Sequence, residues 1–596
     1  MFLKKLYRRK NGKGHTYWAL VESVRTARGP RHRVASYLGE LTPAEREGWA
    51  EFGGRFAGRP ALVQRTLFDR ADGSDPVPEH VSVNVGGVRV SKTTEFGSVW
   101  LGLVLWRTLG LEALFAEAMP GGREEIGWDV LAAVLVLARF CEPSSERHIA
   151  EHWYPHTVLP ELLGISPERM HVQRLYRALD VLADQKEAVE THLGTRLGEL
   201  FDVPHDLFLY DVTSTYFEGQ AEKNSQAKRG YSRDHRGDCR QVCIGLVVDP
   251  DGLPLGYEVF DGNRNDVTTV EEVVESMEAK YGRARRVWVF DRGMVNEENL
   301  AFIRERGGYY VVGTPRSRLR RFEQELTESG WSTVHEHVEA KLCPSPDGEE
   351  TFVLCRSVAR AEKERAMRQR FSERIEAGLG RLERRLARAK RRPNRSQVER
   401  QIGRLLTRNS RAGGCYEVDV QDDPDRPGHL RLVWSGRRDR ADWAALRDGA
   451  YLLRTNLNNH TPEDLWRTYI QLTDVEAAFR TIKTDLVVRP IYHQTRRRVH
   501  AHILVAFLAY AMWKTLQKWM EQAGLGRGVR TVMDEIGRIK CCDVVLPTRS
   551  GREIELRCVS RPDGHQRALL QRLGLTLPVR LGRPRWREGI DTLSGM

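Results

Sequence analysis

The chain has 596 residues, of which 40% are hydrophobic and 29% charged, and its net charge is +13. This length excludes a single hydrophobic core and predicts roughly three to five domains, in a composition that is ordinary for a globular protein. The basic excess favours a polyanionic partner, nucleic acid before membrane. The alternative is a generic basic protein in which arginine is simply frequent.

The cysteines and the apolar runs indicate where the chain works. Its nine cysteines form no CxxC pair, which predicts reduced thiols in a cytosolic protein. No apolar stretch follows the basic start MFLKKLYRRK, so we expect no signal peptide. The longest apolar runs, Val130–Leu137 and Ile503–Trp513, are too short to span a bilayer and predict buried helices. The sequence therefore predicts a cytoplasmic protein.

Two different patterns cover the first 200 residues. Residues 1–40 alternate apolar and polar side chains around Asn11-Gly12 and Gly29-Pro30, which predicts a small three-stranded antiparallel sheet. From residue 96 to about 200, apolar side chains recur at helical spacing. The predicted helices are Val99–Leu109, Trp128–Arg139, Ser145–Trp153 and Val172–Leu193. We expect this helical region to bind DNA.

A sheet with helical cover is predicted from residue 207 onward. Apolar runs that read as buried strands end at Asp211 and at Asp291. The predicted elements are, in order, strand Leu207–Tyr210, strands Arg240–Val248 and Gly256–Phe260, helix Thr268–Tyr281, strand Arg286–Phe290, helix Asn296–Arg306 and strand Tyr309–Val312. Three strands followed by alternating helix and strand predict a mixed sheet.

An arginine-rich segment interrupts this alternation between residues 315 and 445. A long charged helical stretch covers Ala359–Arg408 and is split near Pro393, and residues 360–411 contain 18 Lys/Arg against 6 Asp/Glu. A solvated helical hairpin with alternating charges would balance the two signs, whereas arginine predominates here. We expect contact with a DNA backbone and a segment that is loose without DNA; an acidic surface of a partner protomer is the alternative. The arginines expected to bind DNA are Arg384, Arg385, Arg388, Arg391 and Arg392.

The rest of the chain returns to strand and helix patterns. A strand is predicted at Ala450–Thr455, helices at Pro462–Thr484 and Arg498–Gln522, and a small β-rich module after residue 540. The predicted division is an N-terminal β domain 1–75, a helical domain 76–200, a catalytic core 201–315 and 446–525, an insertion 316–445 and a C-terminal module 526–596.

Three acids carry the chemistry that the sequence indicates. Asp211 and Asp291 each end an apolar strand, where α/β sheets place their working groups. Glu476 lies on a predicted helix, and Tyr469, Arg480 and Lys483 fall on the same stripe of that helix. A Glu476–Arg480 ion pair alone would not account for the whole stripe. Mg²⁺ takes hard oxygen ligands, and two such ions can support phosphodiester cleavage, with the basic side chains holding phosphates.

At these residues the chain resembles the DDE transposases of bacterial insertion sequences, in the insertion-sequence-four superfamily. Their Tyr-(2)-Arg-(3)-Glu-(6)-Lys signature matches Tyr469, Glu476 and Lys483, while Leu472 stands at the Arg position, for which Arg480 is the candidate substitute. Further stretches resemble those typical of the family, namely Tyr210–Thr215, Phe290–Met294, Gly262–Thr268, Asp448–Thr455, Arg489–His493 and Arg498–His502.

The resemblance implies an α/β fold with an RNase H-like catalytic core that an insertion interrupts before Glu476. It implies that Asp211, Asp291 and Glu476 bind two Mg²⁺ or Mn²⁺ ions, cleave element ends and direct the freed 3′-hydroxyl at target DNA. Tyr469, Arg480 and Lys483 would hold backbone phosphates. Double-stranded DNA and a homodimer are the implied partners, on nucleoid DNA in the cytoplasm. Two rivals remain open, a nuclease of the same fold without strand transfer and a non-enzymatic DNA-binding protein derived from a transposase.

Overall fold

The computed structural model of the chain describes residues 2–10, 13–26, 29–39, 77, 80–122, 124–203, 205–283, 285–345 and 350–587. Its strands are β1 Phe2–Lys10, β2 Lys13–Thr26, β3 Gly29–Gly39, β4 Arg89–Glu95, β5 Leu207–Tyr216, β6 Gln241–Val248, β7 Pro254–Asp261, β8 Val287–Phe290, β9 Tyr309–Gly313, β10 Ser332–His335, β11 Val338–Pro344, β12 Thr351–Ser357, β13 Tyr416–Asp422, β14 Leu430–Gly436, β15 Ala450–Thr455, β16 Lys540–Pro547, β17 Glu553–Val559 and β18 Arg585–Arg587.

The helices are consecutive between residues 97 and 201 and are interspersed with strands after residue 207. They are α1 Gly97–Thr108, α2 Leu111–Ala118, α3 Trp128–Cys141, α4 Glu146–His148, α5 Leu159–Leu163, α6 Val172–Leu182, α7 Lys186–Phe201, α8 Val270–Tyr281, α9 Glu297–Glu305, α10 Glu323–Thr327, α11 Val358–Ala387, α12 Arg395–Arg408, α13 Ser410–Gly413, α14 Arg438–Leu446, α15 Pro462–Ile470, α16 Leu472–Thr484, α17 Arg496–Gln522, α18 Val529–Ile536 and α19 Gly564–Arg572. The mixed α/β class predicted from the sequence is confirmed.

The chain divides into two units. The first unit comprises the described residues of 1–204, 212–264 and 476–596, and the second those of 205–211 and 265–475. The strand β5 therefore contributes residues to both units. The six-part division expected from the sequence stays a prediction.

The N-terminal sheet of the first unit follows the alternating pattern of the sequence. β1 pairs antiparallel with β2, and β2 with β3. The predicted three-stranded antiparallel sheet is therefore confirmed. Asn11-Gly12 lies outside the described residues, and Gly29-Pro30 opens β3 instead of forming a turn.

Helix α17 is the core helix of the first unit. It is long and apolar enough to cross a membrane, but 94% of its apolar window is buried inside the protein, where α1, α3 and α6 pack against it. Trp513 of α17 meets Phe140 of α3 edge-on, with ring centroids 6.3 Å apart. This agrees with the buried helix predicted at Ile503–Trp513.

The helix predicted at Val172–Leu193 is instead two helices, α6 and α7, with a tight turn between them. Arg497 donates from Nε to the carbonyl oxygen of Asp180 at 2.5 Å. That oxygen is an acceptor that a continuous helix would use for its own backbone. The side-chain bond therefore competes with helix continuation at this point.

The C-terminal sheet is not built from the tail alone, because one of its strands comes from far earlier in the chain. Its strand order is β18-β17-β16-β4, and β4 comes from residues 89–95. Lys540 of β16 lies opposite Glu95 of β4, and the Lys540 ammonium donates to both Glu95 oxygens at 2.5 and 2.6 Å. A long-range strand pair of this kind has no signature in the local sequence.

The sheet of the second unit is mixed. Its order is β10-β11-β12-β15-β9-β8-β5, with β5, β8 and β9 parallel and the other neighbouring pairs antiparallel. In the first unit, β6 and β7 form an antiparallel hairpin. The parallel pairing of β5 with β8 ends at Tyr210 and Phe290, directly before Asp211 and Asp291.

The arginine-rich insertion has a hydrophobic core of its own. Helices α11 and α12 are separated near Pro393, as predicted, and the hairpin β13–β14 packs on them. The buried residues of this core are Ile375, Leu379, Leu382, Leu386, Val398, Ile402, Ala412, Val420, Leu430 and Leu432. Packing of an apolar helix face supplies most helical stability in proteins. The reason for expecting the segment to be loose without DNA is therefore removed, whereas its charge surplus remains.

Candidate active site

Two of the predicted metal ligands lie at matching positions of neighbouring parallel strands. Asp291 directly follows β8, whereas Asp211 lies within β5, which continues to Tyr216 instead of ending at the acid as the sequence predicted. β5 and β8 pair with Tyr210 opposite Phe290, so Asp211 and Asp291 each come directly after a matched pair. Neighbouring strands lie about 4.8 Å apart, which brings both carboxylates to one edge of the sheet. Tyr210 and Phe290 are buried, whereas Asp211 is half-buried and Asp291 is exposed. Two apolar strands thus deliver two acids side by side.

Tyr469 contacts the second of these acids. Its hydroxyl donates to Asp291 Oδ1 at 3.3 Å. Burial of the ring, followed by the nearby Asp291 charge, raises the pKa of Tyr469, so the hydroxyl keeps its proton at neutral pH. A Cβ atom added at Gly313 on β9 would lie 2.6 Å from the Tyr469 oxygen. Glycine at position 313 therefore leaves the space that the tyrosine hydroxyl occupies.

A cavity of about 390 Å³ opens beside Asp291 in the second unit. Its lining is cationic and aromatic and includes Arg292, Arg316, Arg360, Tyr451, Trp466 and Tyr469. The Trp466 indole donates to the Tyr451 hydroxyl at 2.7 Å, and the Arg360 guanidinium lies 5.0 Å from the centre of the Tyr451 ring. Cations and aromatic faces of this kind suit a polyanion that carries flat bases.

The single helix predicted at Pro462–Thr484 is broken at Gln471. The Asp474 amide donates to the Gln471 carbonyl, and the Ile470 carbonyl accepts the Thr473 hydroxyl at 2.7 Å. This local side-chain bond takes the acceptor of a regular helical turn. Tyr469 therefore lies in the last turn of α15, while Glu476, Arg480 and Lys483 belong to α16. The four residues do not share one helical stripe.

On α16 in the first unit, Glu476 and Arg480 are both exposed. Within the described part of the chain the two form no ion pair with each other, so the simple intrahelical pair does not explain them. Leu472, at the signature's Arg position, is 7% exposed and packs inward. A hydrophobic residue that is buried there cannot bind a phosphate.

Lys483 is engaged in an ion pair that the sequence did not predict. Its ammonium donates to Asp234 Oδ1 at 2.9 Å, and the Arg489 guanidinium donates to the same oxygen. Burial is the largest influence on Lys483 and lowers its pKa. One feature of the sequence could have indicated this ion pair: Asp234 is the single acid within the basic run Arg233–Arg236.

The predicted DNA-binding arginines lie at the tip of the α11–α12 pair. Arg384, Arg385, Arg388, Arg391 and Arg392 are exposed, and all but Arg392 line a groove of about 770 Å³. Residues 381–395 hold eight Lys/Arg and one Asp/Glu, so much of the insertion's surplus charge is concentrated at this tip. The groove floor includes Leu386 and Val398, which are buried in the insertion core.

A divalent metal ion fits the chemistry of the Asp211 and Asp291 edge. Among the described residues, no three His, Cys, Asp or Glu side chains are grouped closely enough to hold a metal ion by themselves. Mg²⁺ sites commonly use one or two carboxylates and complete their ligands with substrate phosphates and water. Two neighbouring carboxylates, one of them exposed, satisfy that requirement.

A family described as "Transposase DDE domain" matches residues 203–512, slightly more than half of the chain. The chain belongs to the DDE transposase family. The model "IS1634 family transposase, N-terminal domain" also matches residues 3–53, so this transposase is one of an insertion sequence. A search of curated proteins gives no match.

A solved structure resembles the transposase at low similarity. It is the cryo-EM structure of the piggyBac transposase synaptic complex with hairpin DNA, with 9% sequence identity and a TM-score of 0.35. The alignment covers 77% of the transposase and 82% of that chain. Nothing in the family assignment depends on this similarity.

The family match includes all three predicted acids of the transposase. DDE transposases are metal-dependent enzymes that cleave and transfer DNA, and they carry an RNase H-like core. The structure places Asp211, Asp291 and Tyr469 together in the second unit, and it places Glu476, Arg480 and Lys483 in the first. The sequence indicated no role for Asp234 or Gly313, and it marked Arg489 only as part of the Arg489–His493 stretch.

Proposed function

We propose that the transposase binds the terminal repeats of its insertion sequence, cleaves the DNA at the element ends and joins the freed 3′-hydroxyls to target DNA. The observation that supports this most is the pair of carboxylates on adjacent parallel strands, with the Tyr469 hydroxyl on Asp291. Mg²⁺ or Mn²⁺ is the expected metal, as two ions held by Asp211, Asp291 and Glu476. Such ions, when bound, activate the attacking oxygen and stabilise the leaving one.

The protein residues would hold the DNA for this chemistry. Tyr469 keeps its proton, so its hydroxyl can orient Asp291 or donate to a phosphate oxygen. Arg480 is exposed on α16 one helical turn after Glu476, where its guanidinium can bind one phosphate through two parallel hydrogen bonds. Lys483 supplies a third contact. The arginine and aromatic wall beside Asp291 would receive the DNA backbone.

The test of catalysis uses a duplex that carries the element's own terminal repeat, read from the DNA beside the gene. Asp211→Ala, Asp291→Ala and Glu476→Ala should each abolish Mg²⁺-dependent cleavage, while DNA affinity stays within about twofold, because the ions serve chemistry and not end recognition. Any variant that cleaves at near-normal rate removes that residue from the ligand set. Joining of a pre-cut end to a plasmid distinguishes a transposase from a nuclease of the same fold, and binding without cleavage would indicate a non-enzymatic derivative.

We further propose that the arginine tip binds the DNA backbone. Arg384→Gln, Arg388→Gln and Arg391→Gln combined should lower affinity for every DNA sequence about equally, because phosphate contacts carry no base information. The slope of log affinity against log salt should fall by about one unit for each phosphate that the variant no longer neutralises. The matched control changes three exposed arginines outside the groove, Arg437, Arg438 and Arg440. An equal decrease of affinity in both triple variants would show that the groove is not a specific DNA-binding site and that its arginines act only through the net charge of the protein.

The proposed assembly is a homodimer that holds two element ends on nucleoid DNA in the cytoplasm. Light scattering of the protein with and without an end duplex measures its mass in each state. A monomer on DNA contradicts the proposal. Loss of dimerisation before loss of DNA affinity in the groove variant would assign the tip to a partner protomer instead.

A further inference from the structure

In the first unit, the Asp234 carboxylate lies between two cations. Asp234 is 5% exposed, Lys483 10% and Arg489 31%. Both cations donate to Asp234 Oδ1, and the buried Oδ2 has no hydrogen-bond partner among the described residues. A buried carboxylate oxygen without a partner is costly. Burial of a charged carboxylate is costly unless it is paired, so the two cations compensate for the burial of Asp234.

Both cations are held in place by their own elements. Lys483 lies two helical turns after Glu476 on α16. The segment just before Arg489 is fixed because the buried Arg139 side chain donates to the Val487 carbonyl at 2.9 Å and His502 Nε2 lies 2.9 Å from the Val488 carbonyl. The two positive charges are thus brought to one place by separate anchors.

Asp234 is also held rigidly. The amide of the preceding residue, Arg233, donates to the Ser214 hydroxyl of β5 at 3.2 Å. The next residue, His235, has a φ of 58°, which turns the chain sharply after the aspartate. The connection between β5 and β6 therefore presents this carboxylate from a defined position.

We infer that Asp234 is a positioning residue that holds Lys483 and Arg489 together as a paired phosphate-binding site on the Glu476 side of the reaction. This inference rests on the proposed function, and it adds Arg489 to Arg480 as a candidate for the phosphate contact that the signature assigns to its arginine. One carboxylate between two cations leaves a net charge of +1, which matches one phosphodiester. Arg489 is the most exposed member and forms no other hydrogen bond in the described part of the chain.

Electrostatics explain why the aspartate is needed. Two cations brought to one oxygen repel each other, and Arg489 lowers the pKa of Lys483 whereas Asp234 raises it. Without the central charge, Lys483 would lose its proton more easily or move towards solvent, since burial disfavours its charged form. The carboxylate itself is too buried to contact DNA. It acts through the two side chains that it holds.

The test is Asp234→Asn, which keeps the shape of the side chain and removes its charge. Removing an acid near DNA ordinarily raises affinity, because fewer phosphates are repelled. If Asp234 positions the two cations, the Asp234→Asn variant should cleave DNA about tenfold or more slowly. Its affinity for DNA should nevertheless be unchanged or higher. Asp234→Glu should recover part of the rate because it restores the charge. The matched control is Glu521→Gln, since Glu521 also lies between a lysine and an arginine, Lys518 and Arg527.

Double variants separate positioning from folding. In an Arg489→Gln background, Asp234→Asn should lower the cleavage rate much less than it does in the native protein. The effects of residues that act as one unit are not additive. Full additivity, or native cleavage by Asp234→Asn, overturns the inference. If Asp234→Asn fails to fold, Arg489→Gln alone decides, since it must slow cleavage and lower the salt slope by about one. If the native protein cleaves no element end, the proposed function fails, while the salt slopes of the same variants still test the paired site.

Discussion

Replacing Gly313 with alanine should slow DNA cleavage, because the new methyl group would collide with the Tyr469 hydroxyl. The added Cβ would lie 2.6 Å from that oxygen, whereas ordinary van der Waals contacts are 3.4–4 Å. Gly313 is absent from the residues of positive φ, so alanine brings no backbone strain of its own. The substitution therefore acts through Tyr469.

The size of the effect follows from the hydrogen bond that Tyr469 would no longer make. The Tyr469 hydroxyl must retreat by roughly 0.8 Å from the new methyl group, and a bond that is already 3.3 Å long does not survive such a shift. A hydrogen bond to a charged group is worth about 1.5–3 kcal/mol, and because Asp291 is exposed this bond should contribute about 1–2 kcal/mol. The cleavage rate should then fall by about 5- to 30-fold.

Single-turnover cleavage of an end duplex with Mg²⁺ measures this rate. Gly436→Ala is the matched control, because Gly436 is also a strand glycine and a Cβ there meets nothing within 4 Å. In a Tyr469→Phe background the effect of Gly313→Ala should nearly vanish, since the colliding oxygen is gone. The same decrease in both backgrounds would refute the reasoning, as would a native rate for Gly313→Ala with intact Tyr469.

Three predictions concern stability. Leu379→Ala, in the fully buried core of the insertion, should cost about 2–5 kcal/mol and speed hydrogen exchange of α11 and α12; unchanged exchange would contradict an independent core. Gly97→Ala places a Cβ 1.9 Å from the Ile536 carbonyl oxygen and should lower the free energy of unfolding, measured by thermal unfolding, by about 3 kcal/mol. The control Gly198→Ala, whose Cβ meets nothing within 4 Å, should not lower it. Burial, then Arg496 and Lys186, lowers the pKa of His500 from 6.5 to about 4, so stability is complete above pH 6.5 and falls as the pH drops towards 4, by up to about 2 kcal/mol at pH 5. Denaturant titrations of His500→Gln should lack this component, and an identical pH profile would exclude it.

The sequence was sufficient wherever a pattern is local. Alternation predicted β1 to β3, and apolar runs that end in an acid predicted strands at Asp211 and Asp291, although β5 continues past Asp211 to Tyr216. The split of the insertion near Pro393 was also predicted, because proline lacks the amide that a helix interior needs. These features depend on neighbours within a few residues, which is the range that sequence patterns report.

The errors came from side chains that compete with backbone bonds or act over long distances. Beside the helix break at Gln471 the Thr473 hydroxyl donates to a backbone carbonyl, and near the end of α6 a backbone carbonyl accepts from Arg497, which lies more than 300 residues away. Net charge alone predicted a loose insertion because its apolar residues, which pack against β13 and β14, are spread over distant positions. Asp234 and Gly313 could not be assigned from sequence, since their roles depend on partners that folding brings to them.

The pairing of β4 with β16 determines how long β4 remains unpaired while the chain is being synthesised. Glu95 leaves the ribosome 445 residues before its partner Lys540. At a synthesis rate of about 5–20 residues per second, β4 waits roughly 20 to 90 s with an unpaired strand edge, which is a site for aggregation. A chain whose translation stops before residue 540 never covers that edge. A message that is cut short would therefore yield an unstable fragment that proteases remove, and not a partial enzyme that persists on DNA.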